Sequence, residues 1–168
     1  MTTTGPTPAV APIALDAGEG ENLWFLGSLV SIKASDTTTG GRVFVTENLS
    51  PQGAGSPLHV HHREDEWFYV MEGELTFWVG GEVITAGPGA FVYGPREVPH
   101  TFLVTSPQAR YLLVAEPGDF AGFMRALAVP AESLELPPAT VEPPAPDVMA
   151  AAAAEYGIDI LGPPGIPE

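Results

Sequence analysis

Residues 56–73 read "SPLHVHHREDEWFYVMEG": three histidines within four positions, then three carboxylates, then an aromatic run. His59 and His61 are two apart, so on a strand both side chains leave by one face, and His62 leaves by the other. Pro57, Leu58 and Val60 suit a strand entering a core, and "HRED" gives the chain room to turn before Glu66 begins the next strand. "EWFYVMEGELTFWV" has the alternation of a hairpin turning at Glu72-Gly73. A two-residue turn there sets Val70 opposite Leu75, Phe68 opposite Phe77 and Glu66 opposite Val79, all on a core face. The opposite face then pairs Trp67 with Trp78, a large aromatic surface suited to a dimer contact.

The same texture extends outward. From Asn22 to Glu116 the chain is a series of short apolar runs, including "GGRVFVTENL", "EVITAGPG", "AFVYGP", "HTFLVTS" and "ARYLLVAEPG", broken by turn residues. Valine, isoleucine, threonine and aromatics at this spacing make an all-β sandwich or barrel. Residues 1–20 are rich in Thr, Pro, Ala and Gly and read as a flexible arm. After Gly118 the period lengthens. Asp119 is a candidate cap for a helix whose apolar stripe is Phe120, Phe123, Met124 and Leu127. "LPPATVEPPAPD" is an extended connection, and a second helix is expected from an Asp147 cap to Gly157. The tail "GIDILGPPGIPE" is expected to lack long regular elements, with Ile158, Ile160 and Leu161 as anchors. The reading is one barrel over 21–118, with C-terminal helices and a proline-rich extension over 119–168 packed on it.

Composition narrows the function. The 168 residues suffice for one domain with a substantial core. Six basic residues stand against 21 acidic ones, for a net charge of −15, and no basic cluster exists to attract nucleic acid or anionic membrane surfaces. There is no cysteine, hence no disulfide framework and no thiolate ligand or nucleophile. Nothing resembles a signal peptide or a membrane span, so a soluble cytoplasmic protein is expected.

A further histidine, His100, follows a Pro-bounded turn in "GPGAFVYGPREVPHTF". If His59, His61, Glu66 and His100 converge inside the barrel, they offer three imidazoles and one carboxylate. That set suits one divalent transition metal ion, Fe, Ni, Mn, Co, Cu or Zn. An ionised Glu66 on an apolar face is otherwise costly, which argues for a cation beside it. His62, Arg63, Glu64 and Asp65 read as a solvated turn, with Glu64 as a substitute for Glu66. Phe68, Phe77, Val79 and Phe102 are candidates for the pocket wall, Phe102 first because it shares the parity of His100; Phe91 and Tyr93 are further candidates.

These residues resemble the cupins. The first cupin motif, G-x5-HxH-x4-E-x6-G, fits Gly53, His59, His61, Glu66 and Gly73. The second, G-x5-PxG-x2-H-x3-N, fits Gly89, Pro95 and His100, with Glu97 in place of Gly and Val104 in place of Asn. The resemblance implies a double-stranded β-barrel of jelly-roll type, a central metal and commonly a homodimer. The chain looks most like the bacterial single-cupin flavonol dioxygenases, over "LGSLVSIKAS", "HVHHREDEWFYVMEG", "PREVPH" and "GDFAGFMRALAVPAESLELPP". By that resemblance His59, His61, Glu66 and His100 are the metal ligands and Glu66 is also the catalytic base. The substrates would be a hydroxylated aromatic or enolic small molecule and O2. The alternatives are a non-oxidative metal cupin (isomerase, decarboxylase or cyclase) and a small-molecule binding cupin without catalysis.

Overall fold

A computed structural model describes residues 10–168. Part of the arm expected over 1–20, residues 1–9, lies outside the described residues; residues 10–20 run along the surface without strand or helix. In chain order the elements are β1 (Glu21–Phe25), β2 (Ser28–Ala34), α1 (Asp36–Thr39), β3 (Phe44–Pro51), β4 (Pro57–His61), β5 (Asp65–Glu72), β6 (Leu75–Val79) and β7 (Glu82–Ala86). They continue with β8 (Phe91–Gly94), β9 (His100–Val104), β10 (Gln108–Glu116), α2 (Phe120–Leu127), β11 (Val129–Pro130), α3 (Pro146–Glu155) and β12 (Ile158–Pro164).

The strands form two antiparallel sheets, one ordered β11-β1-β2-β3-β10-β5-β8 and the other β12-β4-β9-β6-β7. This is the jelly-roll barrel expected of the chain, with α2 and α3 at its C-terminal end. Alternation builds the interior: Phe68 and Val70 from the first sheet face Leu75, Phe77 and Val104 from the second, all buried. Phe68 and Phe77 meet edge to face with centroids 5.0 Å apart. Burial of each such aromatic contributes about 2–3 kcal/mol.

The hairpin expected at Glu72-Gly73 is corrected. β5 pairs with β10 and β8, whereas β6 pairs with β7 and β9, so the turn carries the chain from one sheet to the other. Gly73 has φ of 78°, and a Cβ there would lie 2.2 Å from the Gln108 carbonyl oxygen, so this corner needs glycine. Inward parity survives because Phe68 and Phe77 face each other across the barrel. The Trp67–Trp78 pair does not exist. Trp67 stacks on Tyr93 at 5.5 Å, and Trp78 pairs with Val83 and Thr101 in the other sheet.

The C-terminal region differs in detail. Phe120, Phe123 and Met124 of α2 are buried as the stripe requires, but Asp119 makes no side-chain cap bond. Helix α3 starts two residues earlier than expected, with Ala145 at the cap position, Pro146 first in the helix and Asp147 in its first turn. Gly157 takes the left-handed φ of 72°. The tail, expected to be irregular, forms strand β12, which pairs Ile158 with His61 and Ile160 with His59. Its Pro163 and Pro164 are tolerated because β12 lies at the sheet edge. Ile158 is buried and Ile160 packs against the core, whereas Leu161 is exposed.

Candidate metal centre

Strand β4 supplies His59 and His61, β5 supplies Glu66, and β9 supplies His100. His59 and His100 sit opposite each other in the sheet. One donor atom from each of the four lies within 4.8 Å of the others. His59 Nε2 is 3.1 Å from His61 Nε2, His100 Nε2 is 3.0 Å from Glu66 Oε2, and His61 Nε2 is 3.5 Å from the same oxygen. An ion about 2.1 Å from each donor sets neighbouring donors about 3.0 to 3.4 Å apart. The three shortest donor pairs fall at or near that spacing, and the whole set lies within 4.8 Å.

The far side of each ring shows why the near side faces inward. His59 Nδ1 lies 2.8 Å from the Pro57 carbonyl oxygen and His100 Nδ1 lies 2.9 Å from that of Val98. A carbonyl oxygen only accepts, so both Nδ1 atoms carry a proton, and both Nε2 atoms are turned to the cluster, where they are lone-pair donors in the neutral rings. His61 Nδ1 is held by Glu64 Oε2 at 3.0 Å. Three imidazole lone pairs and a carboxylate converging in a buried space are a donor set for a cation.

Among the protein groups alone, a proton occupies that place. Burial would lower His61, but the Glu66 and Glu64 carboxylates more than offset it and push the imidazole up to about 9. Burial, with His100 and His61 nearby, pushes His59 down to about 3. Burial would raise Glu66, yet the His61 and His100 imidazoles hold it well below the usual carboxylate range. A metal ion bound here would displace the proton that these carboxylates hold on His61.

His59, His61 and Glu66 of the cluster line a cavity of ≈ 80 Å³, several times the roughly 10–15 Å³ that one water needs. Phe68 and Phe102, expected as wall, line it; Phe77 and Val79 do not. Phe77 is packed behind Phe68 and Phe102, and Val79 is only half-buried beside them. Phe91 and Tyr93 are on the outside, 63% and 44% exposed. Much of the wall comes from elements the strand reading did not place there. Phe120 of α2 stands edge-on to His61 at 5.2 Å, and Met149 of α3 and Ile158 of β12 join it.

Glu64 is a second correction. It is buried at 1% exposure and bound to His61, not solvated and not in the four-residue cluster. Sequence patterning alone places it in a run of charges; only the fold shows that it turns inward beside the ligand strand. Asp65 is tied to Arg96 by hydrogen bonds of 2.7 and 3.1 Å, and His62 is exposed as its parity requires. Glu97, where the second cupin motif has Gly, adopts φ of 64°. Its N–H donates to the His61 carbonyl at 2.8 Å, which holds the strained backbone in place.

Comparison with known proteins agrees with this geometry. Residues 45–116 match the cupin domain. A quercetin 2,3-dioxygenase from Bacillus subtilis is 33% identical over 121 residues, which is 72% of this chain and 36% of that protein. The chain thus spans about a third of that relative's length. Two solved structures share the fold: a predicted oxalate decarboxylase from Thermotoga maritima (TM-score 0.55, 18% identical, 64% of this chain and 99% of that one), and an RmlC-like cupin from Shewanella frigidimarina (TM-score 0.53, 19% identical, 61% and 88%). The motifs, the barrel and the buried cluster lead to one conclusion: the chain is a cupin, and among cupins it resembles the quercetinase-like members.

Proposed function

We propose that the protein is a metal-dependent dioxygenase acting on a hydroxylated aromatic or enolic small molecule. The observation that carries this reading is the cluster of His59, His61, Glu66 and His100, three of which, His59, His61 and Glu66, line a cavity walled by Phe68, Phe102 and Phe120. The 33% identical quercetin 2,3-dioxygenase supports it. A divalent transition metal held by these four residues would supply Lewis acidity that lowers the pKa of a substrate hydroxyl. Glu66 is ionised and lies within hydrogen-bond reach of the ligand nitrogens, so it can accept that proton. The aromatic wall keeps water away from the electron-rich substrate that results.

The test is oxygen uptake with a flavonol on protein loaded in turn with Fe, Ni, Mn, Co, Cu and Zn. Uptake with at least one metal, lost in Glu66→Gln, supports the reading. No uptake with any of them, alongside anaerobic turnover of an enolic substrate, supports a non-oxidative cupin instead. A homodimer belongs to the same reading, joined through the exposed outer face of β5 and β8, where Tyr69, Phe91 and Tyr93 cluster. Light scattering decides it: Phe91→Glu is expected to give monomers from a dimeric wild type, and a monomeric wild type contradicts it.

A further inference from the structure

The cavity has a second polar end. Along β10 the register places Ala115 opposite Glu66, and Tyr111 opposite Val70 and, on the other side, Asn48. Tyr111 is thus four residues from the level of the metal centre, about 13 Å along the strand. Between the two ends the wall is aromatic: the Tyr111 ring meets Phe102 at 5.7 Å and Phe68 at 6.4 Å. Ser28, Asn48 and Tyr111 line the same cavity as His59, His61 and Glu66, and all three are buried.

Their hydrogen bonds leave capacity unused. Ser28 Oγ contacts Ser50 Oγ at 2.8 Å, and Ser50 Oγ contacts Tyr111 Oη at 3.2 Å. Three hydroxyls carry three protons and these two contacts engage two, so one O–H is left over. It is on Tyr111 or Ser28 when both bonds run the same way along the chain, and on Ser50 when both ends donate to it, and an acceptor in the cavity selects the first two arrangements. Both ends face the cavity. Burial pushes the Tyr111 phenol up to about 12, which keeps it protonated. Asn48 Nδ2 donates to Thr46 Oγ1 at 2.9 Å and to the Tyr111 carbonyl at 3.4 Å. A carbonyl partner fixes the amide with nitrogen on that side, and Asn48 Oδ1 accepts from none of the described residues. A spare donor and a spare acceptor side by side, in a residue set at most 7% exposed, is more than a closed structural network needs.

We infer that Ser28, Asn48 and Tyr111 form a subsite for a second hydroxyl of the substrate, remote from the one at the metal centre. This rests on the function proposed above and narrows its substrate class to planar aromatics hydroxylated at both ends. A hydroxyl donates to Asn48 Oδ1 and accepts from the spare O–H, so it satisfies both groups at once. An analogue lacking it leaves two buried polar groups unpaired, the arrangement that discriminates most strongly against a missing hydroxyl.

The test is anaerobic fluorescence titration of the full chain loaded with Zn, using 3-hydroxyflavone, 3,7-dihydroxyflavone and 3,4′-dihydroxyflavone. Wild type is expected to bind at least one dihydroxyflavone about tenfold or more tighter than 3-hydroxyflavone. In Asn48→Leu, and in Tyr111→Phe, which deletes a single oxygen should the first variant not fold, that ratio is expected to fall below about threefold with 3-hydroxyflavone held as tightly as before. Equal weakening of all three ligands in the variants means a structural role and overturns the subsite. Absence of preference in wild type overturns the subsite and leaves the metal-dependent reading standing, whereas failure of all three to bind wild type overturns both.

Discussion

His61 and His62 are neighbours in sequence with nearly the same contacts, and they do different chemistry. His61 has Glu64 at 3.0 Å and Glu66 at 3.5 Å; His62 has Glu97 at 2.9 Å and Asp159 at 3.0 Å. Each is an imidazole between two carboxylates. The difference is water: the His61 side chain is 0% exposed and that of His62 is 41% exposed. In solvent the charges around His62 are screened and the pairs are worth little. In the barrel the same pairing fixes ring, tautomer and donor direction, and any unmatched charge is expensive. One residue of strand parity separates a surface tie from a ligand.

The largest expected effect follows from removing the inner ring. His61→Ala is expected to lower metal affinity by more than about 100-fold, exceeding what loss of a supporting residue does, as read by competition with a chelator. Glu64→Ala keeps all four donors but frees the His61 ring, and a loss of about 10–100-fold is expected. An unchanged affinity would mean that Glu64 does not orient its neighbour. A pH series sharpens the contrast. With His61 at about 9, its proton is bound at neutral pH and must leave when metal enters, so metal binding at pH 7 is expected to release about one proton and affinity to rise with pH until about 9. Calorimetry in buffers of different ionisation enthalpy measures this directly. His62→Ala is the smallest effect: metal affinity within about twofold of wild type, because exposed pairs contribute little.

The site was legible because period-two alternation survives whatever strand pairs with whatever. His59, His61 and Glu66 face inward by parity alone, and the interior positions of Phe68 and Phe77 held even though the hairpin joining them did not exist. Pairing was not legible: a glycine corner between two sheets and a hairpin turn share the same residues and the same alternation. Edge pairing also hid β12, since its partner is the free edge of β4, more than 90 residues earlier, and nothing local marks that contact. Glu64 and the Ser28–Ser50–Tyr111 chain were invisible for a third reason. Burial of a polar side chain depends on what the fold sets opposite it, and neither composition nor spacing carries that.

The most direct test of the metal centre is plasma mass spectrometry of purified protein, comparing wild type, His61→Ala and His62→Ala after reconstitution with each of the six metals and desalting. The account predicts close to one equivalent of at least one transition metal in wild type and in His62→Ala, and loss of that metal in His61→Ala. Wild type that retains none of the six, or a His61→Ala variant that retains metal as wild type does, would contradict it.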